Sequence, residues 1–204
     1  MDHSQLIESL NFRHACKRFE SAKKIPKEEL SFILEAGRLS PSSFGMEPWH
    51  FIVIRDQALK ERLRPACWNQ EQITSCSDLV VITARVSDPA RRDYFESMFA
   101  RRKMAPQMLE RYLEIYQNYI DNLPSLYDWC AKQCYIAAGN MMSYAAMIEI
   151  DSCPIEGFEK EKVETILELD STQEEVVLLI ALGYRIDPQS KKLRLPFEQI
   201  VSFR

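Results

Sequence analysis

The sequence predicts an α+β protein with a small sheet covered on both faces, and three observations carry that reading. Three short apolar runs of strand length occur at residues 49–55, 79–84 and 176–182. Around them lie longer segments whose apolar residues recur at helical spacing. One of these segments has no charged residue across positions 133–148.

Taken in order, residues 4–11 predict a short helix with Leu6, Ile7 and Leu10 on one face. Pro26 opens a helix over 27–39, with Glu28 and Glu29 in the first turn, where the helix dipole favours acids. Leu30, Ile33, Leu34 and Gly37 follow helical spacing, and Ser40-Pro41 ends the helix because proline drives its predecessor out of the α region. Residues 49–55 read as a strand, and Asp56 as the cap of a helix over 57–65. After a polar segment, 67–77, Asp78 leads into the second strand. Its unbroken apolar character indicates cover on both faces. Residues 89–122 read as helical, charged and aromatic, broken in two by Pro106.

The segment 126–150 predicts a long helix. Its uncharged part is too short and too polar for a membrane span. A helix that is apolar on most faces must be buried on most faces. Small residues (Ala137, Ala138, Gly139, Ser143, Ala145, Ala146) admit another helix at close range. Two arrangements answer this: packing against a second copy in a large apolar interface, or a central position in a monomer. Cys130 and Cys134, one turn apart, read as packing residues. Residues 150–153 lead into Pro154-Ile155-Glu156-Gly157-Phe158, followed by an amphipathic helix over 159–169 and the third strand, which ends at Gly183-Tyr184. The tail stays apolar to its last positions and is expected to dock.

A chain of 204 residues suits one domain, spanning 1–204. Its 46% hydrophobic and 27% charged content is ordinary for a globular protein. The net charge of −4 argues against a general nucleic-acid binder. The polar start Met1-Asp2-His3-Ser4 has no secretory pattern. Six irregularly spaced cysteines, without a CxxC pair, read as reduced thiols, so a cytoplasmic location is expected. With three histidines, no metal-ligand pattern stands out.

Chemistry is expected in two places. Arg13-His14-Ala15-Cys16-Lys17-Arg18-Phe19 is a basic cluster, and Pro41-Ser42-Ser43-Phe44-Gly45-Met46-Glu47-Pro48-Trp49-His50 is a loop held between a helix and a strand. Arginine can grip a phosphate through two hydrogen bonds, and lysine acts as a point charge. Most basic clusters are nevertheless solvated surface. No GxGxxG or Walker loop occurs, so any nucleotide-like phosphate must be held by side chains.

Those two stretches, with Ile25-Pro26, Asn69, the run Pro154-Ile155-Glu156-Gly157-Phe158, and Lys192-Leu193-Arg194-Leu195-Pro196, resemble the FMN-dependent NAD(P)H nitroreductase family over nearly the whole chain. The resemblance implies a small, mostly antiparallel central sheet surrounded by helices, with the long buried helix at a homodimer interface. It implies FMN as cofactor, NADH or NADPH as electron donor, and a nitroaromatic or quinone as substrate, with neither nucleic acid nor membrane as partner. Arg13, His14 and Ala15, with Lys192 and Arg194, would surround the FMN phosphate. Lys17 would lie near N1 and O2 of the flavin, where a cation favours reduction. Asn69 would bond the pyrimidine edge. The Pro154 run would bring the backbone N–H groups of Glu156 and Gly157 to N5 and O4. Pro41, Ser42 and Ser43 would come from the second subunit, and the aromatics of the 89–122 region would help shape the substrate pocket. No side chain need act as acid, base or nucleophile, because a ping-pong hydride transfer runs through the cofactor.

Two positions depart from the family pattern: Ala15 stands where serine is frequent, and Gly45 where many relatives carry asparagine. Alternatives are a flavin reductase or dehalogenase on the same fold, or a cofactor-free dimeric helical interaction protein.

Overall fold

The computed structural model describes residues 2–204. Its sheet has four strands: β1 (Trp49–Ile54), β2 (Asp78–Arg85), β3 (Asp151–Ile155) and β4 (Glu174–Gly183). They are ordered β1-β2-β4-β3, with every pairing antiparallel. The helices are α1 (His3–Phe12), α2 (Lys27–Arg38), α3 (Gln57–Ala66), α4 (Gln72–Ser75), α5 (Arg92–Ala100), α6 (Pro106–Asp121), α7 (Leu126–Met147), α8 (Lys160–Ile166) and α9 (Phe197–Ile200).

The central strands β2 and β4 are apolar along most of their length because each face of the sheet carries its own core. Val80, Ile82 and Ala84 point to the side covered by α2, α5, α6 and α7, together with Leu178, Ile180 and Leu182. Leu79 and Val81 point to the other side with Leu179 and Ala181, where Leu63, Ile73 and Val163 meet them. The register slips where Ile82 faces Leu178 but Thr83 faces Val176. Val177 is therefore the extra residue of a bulge, and it joins Leu178 on the same face.

The expected caps are present: Asp56 accepts a hydrogen bond from the Leu59 N–H at 2.6 Å, and Pro26 precedes α2. The break between α5 and α6 falls at 101–105, and Pro106 occupies the first turn of α6, where a missing N–H costs nothing. Pro89 lies in a short 3-10 turn, so α5 begins at Arg92. β3 is a strand that the sequence reading passed over. Its polar start and Pro154 disguise it, and proline is tolerated because β3 is the outermost strand.

All six cysteines are buried and unpaired. No described helix is long and apolar enough to cross a membrane. Of α7, Trp129, Cys130, Cys134, Ala137, Ala138, Met141 and Ala145 are buried by the chain itself. Tyr135 and Ile136 are exposed, and a Cβ built on Gly139 would meet nothing within 4 Å. One stripe along the uncharged part of this helix is thus left open.

Candidate cofactor site

The two ends of the chain meet at the outer edge of the sheet. Beyond α1, Ala15 forms a parallel bridge to Ser152, and the Cys16 N–H donates to the Ser152 carbonyl at 3.1 Å. That pairing lays residues 13–16 against β3. Arg13, His14 and Ala15 line one wall of a cavity of about 380 Å³, and residues 189–194 line the other. Lys192 Nζ spans the walls, donating to the carbonyl of Leu10 at 2.5 Å and to that of Arg13.

Arg13, His14, Lys191, Lys192 and Arg194 line this cavity, and no acidic residue does among the described residues. The crowding is visible in the protonation energetics. Partial burial first, then the neighbouring Arg194, hold the Arg13 guanidinium below its ordinary pKa. Desolvation, then Arg13 and Arg194, lower that of Lys192. Each effect means that a positive charge is unwelcome where it sits.

Behind the walls, a carboxylate absent from the sequence-based expectations holds them together. Asp151 lies 3.6 Å from His14 Nδ1 and 2.8 Å from Arg185 Nε, and it accepts the Arg185 backbone N–H at 2.9 Å. Arg185 packs over Phe12, 4.1 Å from the ring centroid, and donates to Gln189 at 2.9 Å. Neither residue carries a local sequence signal, since a lone acid and a lone arginine look like surface.

Further along the same edge, Lys17 Nζ lies 3.5 Å from the Cys153 sulfur. Gln70 Nε2 donates to the Gly157 carbonyl at 2.8 Å, joining the turn that holds Asn69 to the Pro154 run. Asn69 sits at φ 55, its carbonyl accepting from Arg64 at 3.2 Å. Its cavity is a different one, of about 680 Å³, lined by both acids and bases, including Glu61, Arg64 and Glu71. Pro154 stands opposite Ile180 in β3. Glu156 accepts a hydrogen bond from the Tyr135 hydroxyl. A Cβ on Gly157 would come within 2.7 Å of the Trp68 ring, so the space this glycine frees is filled by an indole.

Pro41, Ser42 and Ser43 are not part of this edge. Ser42 Oγ accepts the Glu47 N–H at 2.9 Å, and the Ser43 N–H donates to Gln133 Oε1 at 2.9 Å. Gln133 and Tyr135 are two residues apart on α7, about 200° around the helix. The Ser43 loop and Glu156 therefore lie on opposite sides of α7 at one level, and within one chain they do not share a ligand.

The aromatic residues of α5 and α6 divide into two groups. Phe95, Phe99 and Tyr116 are fully buried, Phe99 and Tyr116 against Phe44 and Phe95 against Tyr116, so they pack the core. Tyr119 is exposed, and Tyr112 is half-buried. Phe44 itself adopts φ 54, next to Gly45 at φ 66, a backbone position that suits glycine better than asparagine.

Residues 10–184 match the model of the nitroreductase family. A Staphylococcus epidermidis protein provisionally named as an NAD(P)H nitroreductase is 40% identical over 211 residues, spanning 97% of this chain and 96% of its own length. Among solved structures, a nitroreductase of Exiguobacterium sibiricum in complex with FMN, itself provisionally described, superposes with a TM-score of 0.83 at 26% identity, covering 98% of this chain and 97% of that one. A provisionally described NAD(P)H:FMN oxidoreductase of Staphylococcus epidermidis superposes with a TM-score of 0.85 at 27% identity, covering 98% and 95%.

Proposed function

The chain belongs to the nitroreductase family, and from that membership we propose that it is an FMN-dependent NAD(P)H oxidoreductase that reduces nitroaromatics or quinones. Residues 1–204 would form one FMN-binding domain. One observation carries the reading: cations from both ends of the chain line one cavity without a carboxylate among them. In a protein of net charge −4, such a cluster suits an anionic ligand. The donor set suits a phosphate dianion, with a forked guanidinium from Arg13 and a point charge from Lys192. Arg194 adds a second guanidinium at the rim, and His14 and Ala15 bring their segment to the same cavity.

When bound, FMN would supply the two-electron chemistry, taking a hydride from NADH or NADPH and passing the electrons to the acceptor. The chain's part is to bind and to orient. Lys17 would place a cation at the pyrimidine side of the ring, Asn69 would bond its edge, and the Pro154-to-Gly157 run would present backbone N–H groups. No acid, base or nucleophile of the protein is required.

The purified protein is expected to be yellow and to bleach when NADH or NADPH is added anaerobically. The Lys17→Ala variant should need a stronger reductant, because it loses a charge that favours the reduced form. A colourless preparation that gains no flavin spectrum with added FMN would refute the reading.

The site would be composite, with Pro41, Ser42 and Ser43 of the partner subunit completing it across a homodimer. Support comes from the open stripe of α7 and from the position of the Ser43 loop beyond that helix. Light scattering should give twice 23.8 kDa. Gly139→Arg has room within its own subunit and gains helix propensity of up to about 1 kcal/mol. It should therefore stay folded by circular dichroism yet shift to monomer mass; a persistent dimer would place the interface elsewhere. Six buried, unpaired thiols agree with a reducing, cytoplasmic setting.

A further inference from the structure

We propose that Asp151 is a positioning residue for phosphate recognition, acting through Arg185 and Gln189 to set the two walls of the cationic cavity against each other. The inference rests on the FMN reading above.

The polar contacts form a chain from Asp151 to Asn11, with His14 beside its start. Asp151 opens β3 and is buried, with 4% of its surface exposed. Its carboxylate holds Arg185 twice, through the backbone N–H at 2.9 Å and through Nε at 2.8 Å. Arg185 donates from Nη1 to Gln189 Oε1 at 2.9 Å, and Gln189 donates from Nε2 to the Asn11 carbonyl at 2.6 Å. Asn11 leads through Phe12 and Arg13 to His14, whose Nδ1 lies 3.2 Å from the Phe12 carbonyl and 3.6 Å from the Asp151 carboxylate, a proximity rather than a hydrogen bond. One wall is thus tied at Asn11 to Gln189 of the other, and the tie runs through Arg185 to one carboxyl group.

Such a carboxylate is costly to bury, and here the cost stays partly unmet: among the described residues, Asp151 Oδ1 has the Arg185 charge beside it but accepts no hydrogen bond, and Arg185 Nη2 donates none. The service of Asp151 here is geometric. Burial first, and then repulsion from neighbouring cations, disfavours the charges of Arg13 and Lys192. Something must hold their backbones together before the ligand arrives. A preformed site does not have to spend binding energy on gathering its own walls.

The sign of one measurement separates positioning from bulk electrostatics. A carboxylate next to an anion site repels the anion, so on Coulomb's law alone Asp151→Asn should tighten FMN binding. Positioning demands the opposite, and only for ligands that carry a phosphate.

The test measures FMN and riboflavin affinities, by flavin fluorescence, for wild type, Asp151→Asn, Asp151→Glu and Gln189→Ala. Wild type should prefer FMN. Asp151→Asn should lower FMN affinity about tenfold, the scale of one charge-assisted hydrogen bond, with riboflavin affinity unchanged. Asp151→Glu should recover part of the loss. Gln189→Ala changes no charge and breaks the chain of contacts at a half-buried residue, so it should show the same selective loss even if Asp151→Asn folds poorly. Equal losses for both flavins would reduce Asp151 to a purely structural part. Unchanged or tighter FMN binding in both Asp151→Asn and Gln189→Ala would overturn the proposal while leaving the FMN assignment standing. A wild type without preference for FMN would overturn both.

Discussion

Arg13→Ala is expected to weaken FMN binding about 10- to 100-fold, since a hydrogen bond to a charged group contributes roughly 1.5–3 kcal/mol. Arg194→Ala should cost less, because Arg194 is exposed and water screens it, whereas Arg13 is partly shielded. The apo protein should respond in the opposite sense. Desolvation first, then Arg13 and Arg194, depress the pKa of Lys192, so removing Arg13 relieves one repulsion when no ligand is bound. The tie from Lys192 to position 13 goes to the backbone carbonyl and survives the substitution. Melting curves with and without saturating FMN read both effects. Arg13→Ala should leave the apo melting temperature level or slightly raised and should erase much of the stabilisation by FMN. A lowered apo melting temperature with intact FMN stabilisation would remove Arg13 from the phosphate site.

The largest loss of stability is expected at Tyr116, the largest of the fully buried side chains. Its ring lies 4.8 Å from Phe95, 5.2 Å from Phe44, 5.7 Å from Phe99 and 6.4 Å from Trp129, measured between centroids. Its hydroxyl donates to the Pro89 carbonyl at 2.9 Å. Tyr116→Ala would open a cavity that four aromatic neighbours are too rigid to fill, at a cost of about 3–5 kcal/mol. Tyr116→Phe keeps the ring and strands one carbonyl, for about 1–2 kcal/mol. Urea denaturation followed by circular dichroism gives the comparison. Equal losses for the two variants would mean that the hydroxyl, and not the packing, holds the aromatic cluster.

What the sequence discloses depends on how locally each feature is encoded. β2 and β4 are plain because burial on both faces leaves no charged residue to interrupt the runs at 79–84 and 176–182. α2 is plain because Pro26 and Ser40-Pro41 mark its ends. β3 is hidden, since an edge strand can carry Pro154 and start with Asp151 and Ser152 without penalty. For the aromatic segment, spacing reveals helices but not which rings point inward, so Phe95, Phe99 and Tyr116 pass for pocket residues until the packing around Phe44 is seen. The cationic cavity is harder still. Arg13 and Lys192 are 179 positions apart, and only family resemblance brings them together on paper. Asp151 and Arg185 are 34 positions apart and carry no motif, so their partnership is visible only in three dimensions. Lys60 makes the same point: it looks solvated, yet it is fully buried and donates to the carbonyls of Cys76 and Ser77.

The reach of Lys192 to Leu10 and Arg13 has a bearing on how the molecule tolerates change at its extremities. α1 buries none of its residues and has no basic side chain in its final turn. A cation near the last carbonyls steadies a helix, and here it arrives from the far terminus. Head and tail are reciprocal braces: trimming the tail back past Lys192 frays α1, and a bulky fusion at either extremity is felt at the other.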